Sequence, residues 1–211
     1  MSLDTYYNWD NSDLHLSCQV VLKNAAQSVL YHKPKRILDI GCGNGYLCRI
    51  LSDSGVECVG IEPAANAINY AKELVPEGQF YVRSCYENPS ISDLGKFDLV
   101  VSTEVIEHLY FPQKLVYFAK AHLNLNGVFL LTTPDYGSYW RNLMISVTNR
   151  WDRHHSPLWD GGHIKFWSKR TLAQLLMPAG FSIERLEGTR SRIPVFNMSM
   201  TCHARLTKNE L

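Results

Sequence analysis

Short apolar runs alternate along the chain with stretches of helical spacing, and this alternation predicts strands and helices in turn. Strands are predicted at 36–40, 57–63, 79–85, 97–105 and 127–134. Helices are predicted at 14–31, 46–55, 64–76 and 112–123, and Gly55 and Pro76 stop two of them. Alternation of this kind argues for an α/β fold with a mostly parallel sheet and helices on both faces.

The regular pattern stops after Pro134. Residues 135–168 are rich in aromatic and charged side chains and predict a loop insertion on the substrate side. A helix from Ser168 to Gly180 follows, and the segments FSIERLEG and FNMSMTCHARL predict two closing strands, antiparallel to each other. We expect a single domain over residues 1–211, which begins with a helical segment at 1–33.

The composition excludes several classes of protein. The 211 residues are 45% hydrophobic and carry a net charge of +1, as in ordinary globular chains, which excludes a disordered or fibrous protein. The first residues lack the basic and apolar regions of a signal peptide, and no apolar stretch approaches the roughly 18 residues of a membrane span. The six cysteines include no CxxC pair and predict reduced thiols. We expect a cytoplasmic protein without a membrane partner.

A glycine-rich loop, DIGCGNG at 39–45, lies between the first predicted strand and a helix. Glycine allows a sharp turn and a close approach of ligand to backbone. Glu62 ends the next strand, 21 residues after Gly41, where an acidic side chain accepts ribose hydroxyls in nucleoside sites. The third glycine comes one residue too early for a dinucleotide pattern, and Asp39 would repel a pyrophosphate. A nucleoside that carries positive charge, S-adenosylmethionine, fits the loop better.

Three segments carry a resemblance to a known family: RILDIGCGNG at 36–45, Glu62, and FDLVVSTEVIEHL at 97–109. They resemble class I S-adenosylmethionine-dependent methyltransferases, and the EVxEH pattern resembles the small-molecule O-methyltransferases of ubiquinone biosynthesis. The later segments GVFLLTTPD and HIKFWSKRTLAQLLMPAGF resemble the same family. The resemblance implies a Rossmann-like three-layer sandwich with seven strands in the order 3-2-1-4-5-7-6, the last one antiparallel.

The resemblance also implies S-adenosylmethionine as cofactor, S-adenosylhomocysteine as product and a set of cofactor contacts. Asp39 and the glycines would hold the methionine part, Glu62 the ribose, and the turn after the third strand the adenine. Many relatives carry an aspartate at that turn, whereas this chain has Ser-Cys-Tyr. The predicted cofactor residues are Asp39, Gly41, Cys42, Gly43, Gly45, Glu62, Pro63, Ser84, Cys85, Tyr86, Thr103 and Glu104.

Methyl transfer requires alignment of donor and acceptor, exclusion of water, and a base for the proton of the acceptor. His108 follows the fourth strand and is the first candidate for that base, since histidine has an ordinary pKa near 6.5. His163, from the loop, is the second candidate. Four further residues of the loop are predicted to contact the acceptor: Tyr136, Arg150, Arg153 and His154.

The same region offers a metal-binding alternative. If the segment after the fourth strand is helical, Glu104, Glu107 and His108 share one face, and His163 completes a set of oxygen and nitrogen ligands for a divalent cation. This pattern resembles the metal-dependent small-RNA 2′-O-methyltransferases. Because EVxEH is also common among members without a known metal, we expect none.

The charge of the chain is unevenly distributed. Residues 1–134 carry 10 basic and 14 acidic residues, whereas residues 135–211 carry 11 basic and 6 acidic residues. The basic excess on the acceptor side suits an anionic or aromatic small molecule. A nucleic-acid partner is not expected, because no RNA-binding module is recognisable.

The expected function is therefore methyl transfer to oxygen or nitrogen of a small molecule. A metal-assisted RNA 2′-O-methyltransferase and a non-catalytic cofactor-binding relative are the alternatives. Three aromatic residues near the start of the chain, Tyr6, Tyr7 and Trp9, form a candidate lid over the cofactor or pack on the domain surface. The sequence leaves the acceptor and the oligomeric state open.

Overall fold

The computed structural model describes residues 16–89, 94–150, 162–189 and 199–208. Seven strands form one sheet in the order β3-β2-β1-β4-β5-β7-β6, which confirms the predicted order. Strand β7 pairs antiparallel with both β5 and β6, while the pairs among β1 to β5 are parallel. The strands are β1 Arg36–Ile40, β2 Glu57–Glu62, β3 Gln79–Val82, β4 Phe97–Thr103, β5 Leu123–Pro134, β6 Phe181–Thr189 and β7 Ser199–Leu206.

The helices begin and end where local chemistry favours it. Pro112 occupies the first turn of α4, where its missing N–H costs nothing. Ser168 caps α6 in a reciprocal pair of hydrogen bonds with Thr171, and Gly180 takes a left-handed conformation beyond the following 3₁₀ turn. The helices are α1 Leu16–Tyr31, α2 Tyr46–Leu51, α3 Ala65–Leu74, α4 Pro112–His122, α5 Tyr139–Thr148 and α6 Lys169–Leu176.

Helices cover both faces of the sheet because successive residues of a strand point to opposite sides. Leu99 and Val101 of β4 pack in the cluster that contains Ala25 of α1. Val100, between them, packs in the cluster that contains Phe118 of α4. Strand β4 is apolar at successive positions because both of its faces are buried, as the sequence predicted.

Helix α5 differs from the sequence-based expectation, which placed an irregular loop over residues 135–168. The segment from Tyr139 to Thr148 contains neither glycine nor proline, and Ser138 stands at the N-cap position. Its apolar residues recur at helical spacing. The aromatic and charged composition of the segment indicated a loop, whereas the periodicity indicates the helix that the structure shows.

The cysteines are free thiols, as predicted. Cys42, Cys48, Cys85 and Cys202 are buried, while Cys18 on α1 is exposed. Within the described ranges, every helix is too short or too polar to cross a membrane.

Candidate active site at the carboxyl edge of the sheet

The glycine-rich loop turns sharply between β1 and α2 and is attached to the neighbouring strand. The backbone N–H groups of Gly41 and Cys42 both donate to the carbonyl of Ile61, at 2.9 and 3.1 Å. Gly41 has φ of +78°, and a Cβ atom there would lie 2.4 Å from Cγ2 of Val105. Glycine is therefore required at this position both for its conformation and for the close approach of the segment after β4.

Glu62, at the end of β2, lies buried beneath the same loop. Its Oε2 accepts a hydrogen bond from the N–H of Gly43 at 3.3 Å, and its Oε1 accepts one from the N–H of Ala64 at 3.2 Å. Burial raises the pKa of Glu62, and the two N–H donors oppose that rise. Each carboxylate oxygen keeps a further lone pair, so a vicinal diol is a suitable ligand.

Asp39 is almost fully buried in β1, yet its Oδ1 has no hydrogen-bond partner among the described residues. Burial, followed by the neighbouring Glu62 carboxylate, raises the pKa of Asp39 to about 7. An unsatisfied buried carboxyl group needs a donor or a cation to make up for lost hydration. Together, Asp39, Glu62 and the glycine loop fit a cationic nucleoside such as S-adenosylmethionine.

The turn after β3 contains the predicted adenine residues. The hydroxyl of Ser84 accepts from the N–H of Tyr86 at 3.2 Å, and burial raises the pKa of the Cys85 thiol to about 12. The hydroxyl of Tyr86 accepts from the N–H of Phe111 at 3.4 Å. Tyr86 thus connects this turn to the loop before α4, while Cys85 is a neutral, buried side chain. Pro63 is half-buried directly after β2.

The segment after β4 is not the regular helix that the metal alternative required, so the three residues do not share one helical face. Glu104 has φ of +54°, and only Ile106–His108 form a short 3₁₀ turn. Glu104 donates its N–H to the carbonyl of Thr132, and its Oε1 accepts from the Thr132 hydroxyl at 3.0 Å. These bonds between the ends of β4 and β5 favour the left-handed backbone over a helix. Thr103, the last residue of β4, is half-buried beside Glu104.

Glu107 is completely buried and joins three segments of the chain. Its Oε2 accepts from the hydroxyl of Thr133 at 3.0 Å, and its carbonyl accepts from the N–H groups of Ile164 and Lys165, both at 2.9 Å. Its Oε1 has no hydrogen-bond partner in the described part of the chain. Burial, followed by the Glu104 carboxylate, raises the pKa of Glu107 well above its usual range. Nothing in the sequence pattern indicated Thr132 or Thr133 as partners of these two glutamates.

The structure brings together both predicted catalytic histidines. Nδ1 of His108 lies 3.4 Å from the carbonyl of Gly162, which can only accept. In the tautomer that makes this hydrogen bond, Nδ1 carries the proton and Nε2 is the basic nitrogen. Nε2 lies 3.9 Å from Oε1 of Glu107. The ring of His163 is 4.9 Å from that of His108, and its Nδ1 is 2.5 Å from the hydroxyl of Tyr136. For Nε2 of His163 to accept a proton, its Nδ1 must donate to Tyr136.

Tyr136 is held from several sides. The guanidinium of Arg141 lies 5.5 Å from its ring centroid, and the side-chain amide of Asn142 donates to its carbonyl at 2.9 Å. Phe166 packs edge-on against its ring at 5.0 Å. Burial raises the pKa of Tyr136 to about 12, so its hydroxyl stays protonated. Asn142 was not among the predicted site residues, because an amide inside a helix gives no sequence signal of this kind.

Three of the four residues of the metal alternative come together. One ligand atom from each of Glu107, His108 and His163 lies within 4.8 Å of the other two. The carboxylate of Glu104 accepts a hydrogen bond from the Thr132 hydroxyl and lies outside this group. A buried carboxylate and two imidazoles form a donor set that divalent transition metals accept.

The structure does not bring the remaining predicted residues into this group. Arg150 is exposed just beyond the end of α5. Arg153 and His154 lie outside the described residues, as do the proposed lid residues Tyr6, Tyr7 and Trp9.

The fold and the site together define a Rossmann-like nucleoside-dependent transferase. Residues 15–186 match the model of a methyltransferase-domain family, and the chain belongs to this family of class I S-adenosylmethionine-dependent methyltransferases.

Two relatives are named ubiquinone biosynthesis O-methyltransferase. The one from Azorhizobium caulinodans is 29% identical over 172 residues, which cover 77% of this chain and 65% of the relative. The one from Rhodopseudomonas palustris is 28% identical over 159 residues, covering 72% of this chain and 60% of the relative. The chain thus spans less than two thirds of the length of either.

Solved structures share the fold. A magnesium protoporphyrin IX methyltransferase from Synechocystis with bound S-adenosylhomocysteine superposes with a TM-score of 0.64 at 14% identity, covering 93% of this chain and 90% of the other. An S-adenosylmethionine-dependent methyltransferase from Clostridium acetobutylicum reaches a TM-score of 0.67 at 11% identity, with 93% and 94% coverage.

Proposed function

We propose that this chain transfers the methyl group of S-adenosylmethionine to an oxygen atom of a small molecule. The observation that carries the proposal is the position of His108. Its backbone N–H donates to the carbonyl of Val105 at 3.0 Å, and Val105 is the residue against which Gly41 of the cofactor loop packs. His108 is therefore one turn along the chain from the residue that contacts the cofactor loop. The names of the two relatives support oxygen as the acceptor atom.

The residues of the site have different roles in the proposed reaction. The bound cofactor supplies an electrophilic methyl group on a sulfonium. When the cofactor is bound, Asp39 would hold the cationic amino group of its methionine part, and Glu62 would accept hydrogen bonds from the ribose hydroxyls, so the cofactor would be held at two points. His108 would take the proton of the acceptor hydroxyl at Nε2 as the bond between oxygen and the methyl carbon forms and the sulfur–carbon bond breaks, with the neutral thioether of S-adenosylhomocysteine as leaving group. His163 and Tyr136 position the acceptor and exclude water from one side.

Titration with S-adenosylmethionine followed by a methyl-transfer assay tests the proposal. The assay uses a panel of phenols and catechols with and without a carboxylate. We expect micromolar to submillimolar binding of the cofactor, and turnover that is better for the anionic acceptors because the acceptor side is basic. Binding without turnover of any acceptor would favour the non-catalytic relative. Activity on RNA with a steep salt dependence would favour the RNA alternative.

Binding of S-adenosylmethionine is expected to weaken as the pH falls below 7. The free protein holds Asp39 with a pKa near 7, and a cationic ligand requires the ionised carboxylate. Below pH 7 the carboxyl group of Asp39 must lose a proton each time the ligand binds. The affinity for S-adenosylmethionine therefore falls by up to about tenfold for each pH unit. Calorimetry between pH 5.5 and 8 measures the effect. The variant Asp39→Asn should bind more weakly at pH 8 and show a flat profile; a profile as steep as that of the unmodified protein would contradict the assignment.

A metal-assisted form of the same transfer is the second candidate, favoured by the group of Glu107, His108 and His163. A divalent cation there would lower the pKa of an acceptor hydroxyl. If this candidate is correct, the chain should bind Mn²⁺ after dialysis against a chelator. Electron paramagnetic resonance measures the binding as a loss of the signal of free Mn²⁺. The variant Glu107→Gln should weaken binding at least about tenfold, and Glu57→Gln, an exposed acid on β2, should not. If the unmodified chain does not bind Mn²⁺, the metal-assisted reaction is excluded and methyl transfer without a metal is the proposal that stands.

A further inference from the structure

A buried acid begins the turn that connects β5 to α5. Asp135 comes directly after Pro134, the last residue of β5, and is only 7% exposed. Aspartate is mostly exposed in folded proteins, so a buried one calls for a hydrogen-bonded role. Its Oδ1 accepts from the N–H of Gly137 at 2.9 Å. This bond closes an Asx turn, which fixes the backbone of the residue between them, Tyr136.

The turn is fixed to the segment that contains His163. The N–H of Tyr136 donates to the carbonyl of Trp167 at 2.8 Å. A Cβ atom on Gly137 would lie 2.6 Å from Cβ of Ser168, the N-cap of α6, so the two backbones approach as closely as glycine allows. A change in the shape of the turn would therefore change how it sits on the neighbouring segment.

The side chain of Tyr136 reaches from this turn into the candidate active site. Its hydroxyl lies 2.5 Å from Nδ1 of His163. The direction of a side chain depends on its own backbone, which is held here at the N–H by Trp167 and at the carbonyl by Asn142. The Asx turn of Asp135 is the third constraint, and it alone sets the turn itself.

We propose that Asp135 is a positioning residue for methyl transfer, because one oxygen of its side chain holds the turn that places the Tyr136 hydroxyl against His163. This inference rests on the proposed function, in which His163 and Tyr136 position the acceptor. Asp135 acts by accepting one hydrogen bond, and that bond does not require a charge. The side-chain oxygen of an asparagine can accept the same bond, whereas an alanine cannot.

A chemical role for Asp135 would give a different pattern of variants. An ionised carboxylate can take up a proton or bind a cation, and an asparagine can do neither. Asparagine at position 135 would then be as inactive as alanine. The two substitutions together therefore separate positioning from acid–base or cation-binding chemistry.

Steady-state kinetics with the acceptor measures the effect on the reaction. Asp135→Ala should lower kcat/KM for the acceptor about 10- to 100-fold, while binding of S-adenosylhomocysteine changes by less than about twofold. Asp135→Asn should stay within about threefold of the unmodified chain. In the Tyr136→Phe background, Asp135→Ala should cost no more than about a further threefold, because it acts through Tyr136. Equal losses in the alanine and asparagine variants, or full losses that multiply in the double variant, would overturn the proposal.

Nuclear magnetic resonance of the His163 ring tests the same contact without turnover. In the ¹⁵N-labelled chain, Tyr136→Phe should shift the Nδ1 resonance, because it removes the hydroxyl beside that nitrogen. Asp135→Ala should shift it in the same direction, and Asp135→Asn should leave it in place. Neither cofactor nor acceptor is needed. A chain that shows these shifts but transfers no methyl group would contradict the proposed function and keep the contact, whereas an unshifted resonance in Asp135→Ala would overturn the role of Asp135.

Asp98→Ala is the matched control for a general loss of stability. Asp98 is half-buried near the start of β4, at the opposite edge of the sheet, and its Oδ2 accepts from the N–H groups of Lys35 and Arg36 at 3.0 and 3.3 Å. Its loss should lower the thermal midpoint but leave kcat/KM within about twofold and the His163 resonance unchanged. An equal kinetic loss in this control would show that Asp135→Ala acts through stability. If Asp135→Ala does not fold, Asp135→Ser replaces it, since a hydroxyl accepts the same bond more weakly and should give an intermediate loss.

Discussion

Replacing Gly41 with alanine is expected to weaken binding of S-adenosylhomocysteine at least about 100-fold. The new methyl group would lie 2.4 Å from Cγ2 of Val105, a stiff β-branched side chain, and the backbone at φ of +78° disfavours any residue but glycine. Relief of the clash must move the glycine loop away from the segment that carries His108. Titration calorimetry measures the loss.

Gly55→Ala provides the matched control. Gly55 has nearly the same backbone conformation, with φ of +75°, but a Cβ atom there would meet nothing within 4 Å. Both variants therefore share the conformational cost of roughly 1 kcal/mol, while only Gly41→Ala has the clash. Ligand affinity in Gly55→Ala should equal that of the unmodified chain. If the two variants lose affinity equally, the contact between the loop and Val105 is not what shapes the site.

Replacing His108 with alanine is expected to lower the rate of methyl transfer by about 10² to 10⁴, because general-base catalysis contributes that much. Cofactor affinity should change little, since the cofactor contacts are assigned to Asp39, Glu62 and the glycine loop. Single-turnover kinetics with a saturating acceptor separates the chemical step from binding.

Two further variants locate the effect. Tyr136→Phe removes the hydroxyl 2.5 Å from Nδ1 of His163 and should cause a smaller loss of rate, because it disturbs only the orientation of the second histidine. Tyr110→Phe, exposed two residues after His108, should retain full activity. A rate in His108→Ala within threefold of the unmodified chain would exclude His108 as the base.

The cofactor side of the site was predictable because its residues are neighbours in sequence. Asp39 and the three glycines lie within seven residues, and Glu62 follows at the end of the next strand. Parallel strands place such loops at one edge of the sheet, so the strand pattern alone brings Glu62 beneath Gly43. The strand order was likewise predictable, through the resemblance to a family.

The acceptor side was less predictable because its contacts join distant segments. The metal alternative required Glu104, Glu107 and His108 to share a helical face, and this condition is not met, since hydrogen bonds with Thr132 hold Glu104 in a left-handed conformation. Those bonds link residues 28 positions apart. Spacing along one segment says nothing about such partners, and it therefore overestimated the role of Glu104 in a metal site.

The sequence by itself determined the class of fold, the glycine loop and its acidic partner, because local periodicity and short spacings encode them. Only the tertiary structure decided that His108, His163 and Glu107 meet, through the backbone bonds from Ile164 and Lys165 to Glu107. It also decided that large apolar side chains of α5, such as Tyr139 and Val147, face the solvent. An apolar stripe looks the same in sequence whether it faces the core or the solvent, and packing against the rest of the chain sets its direction.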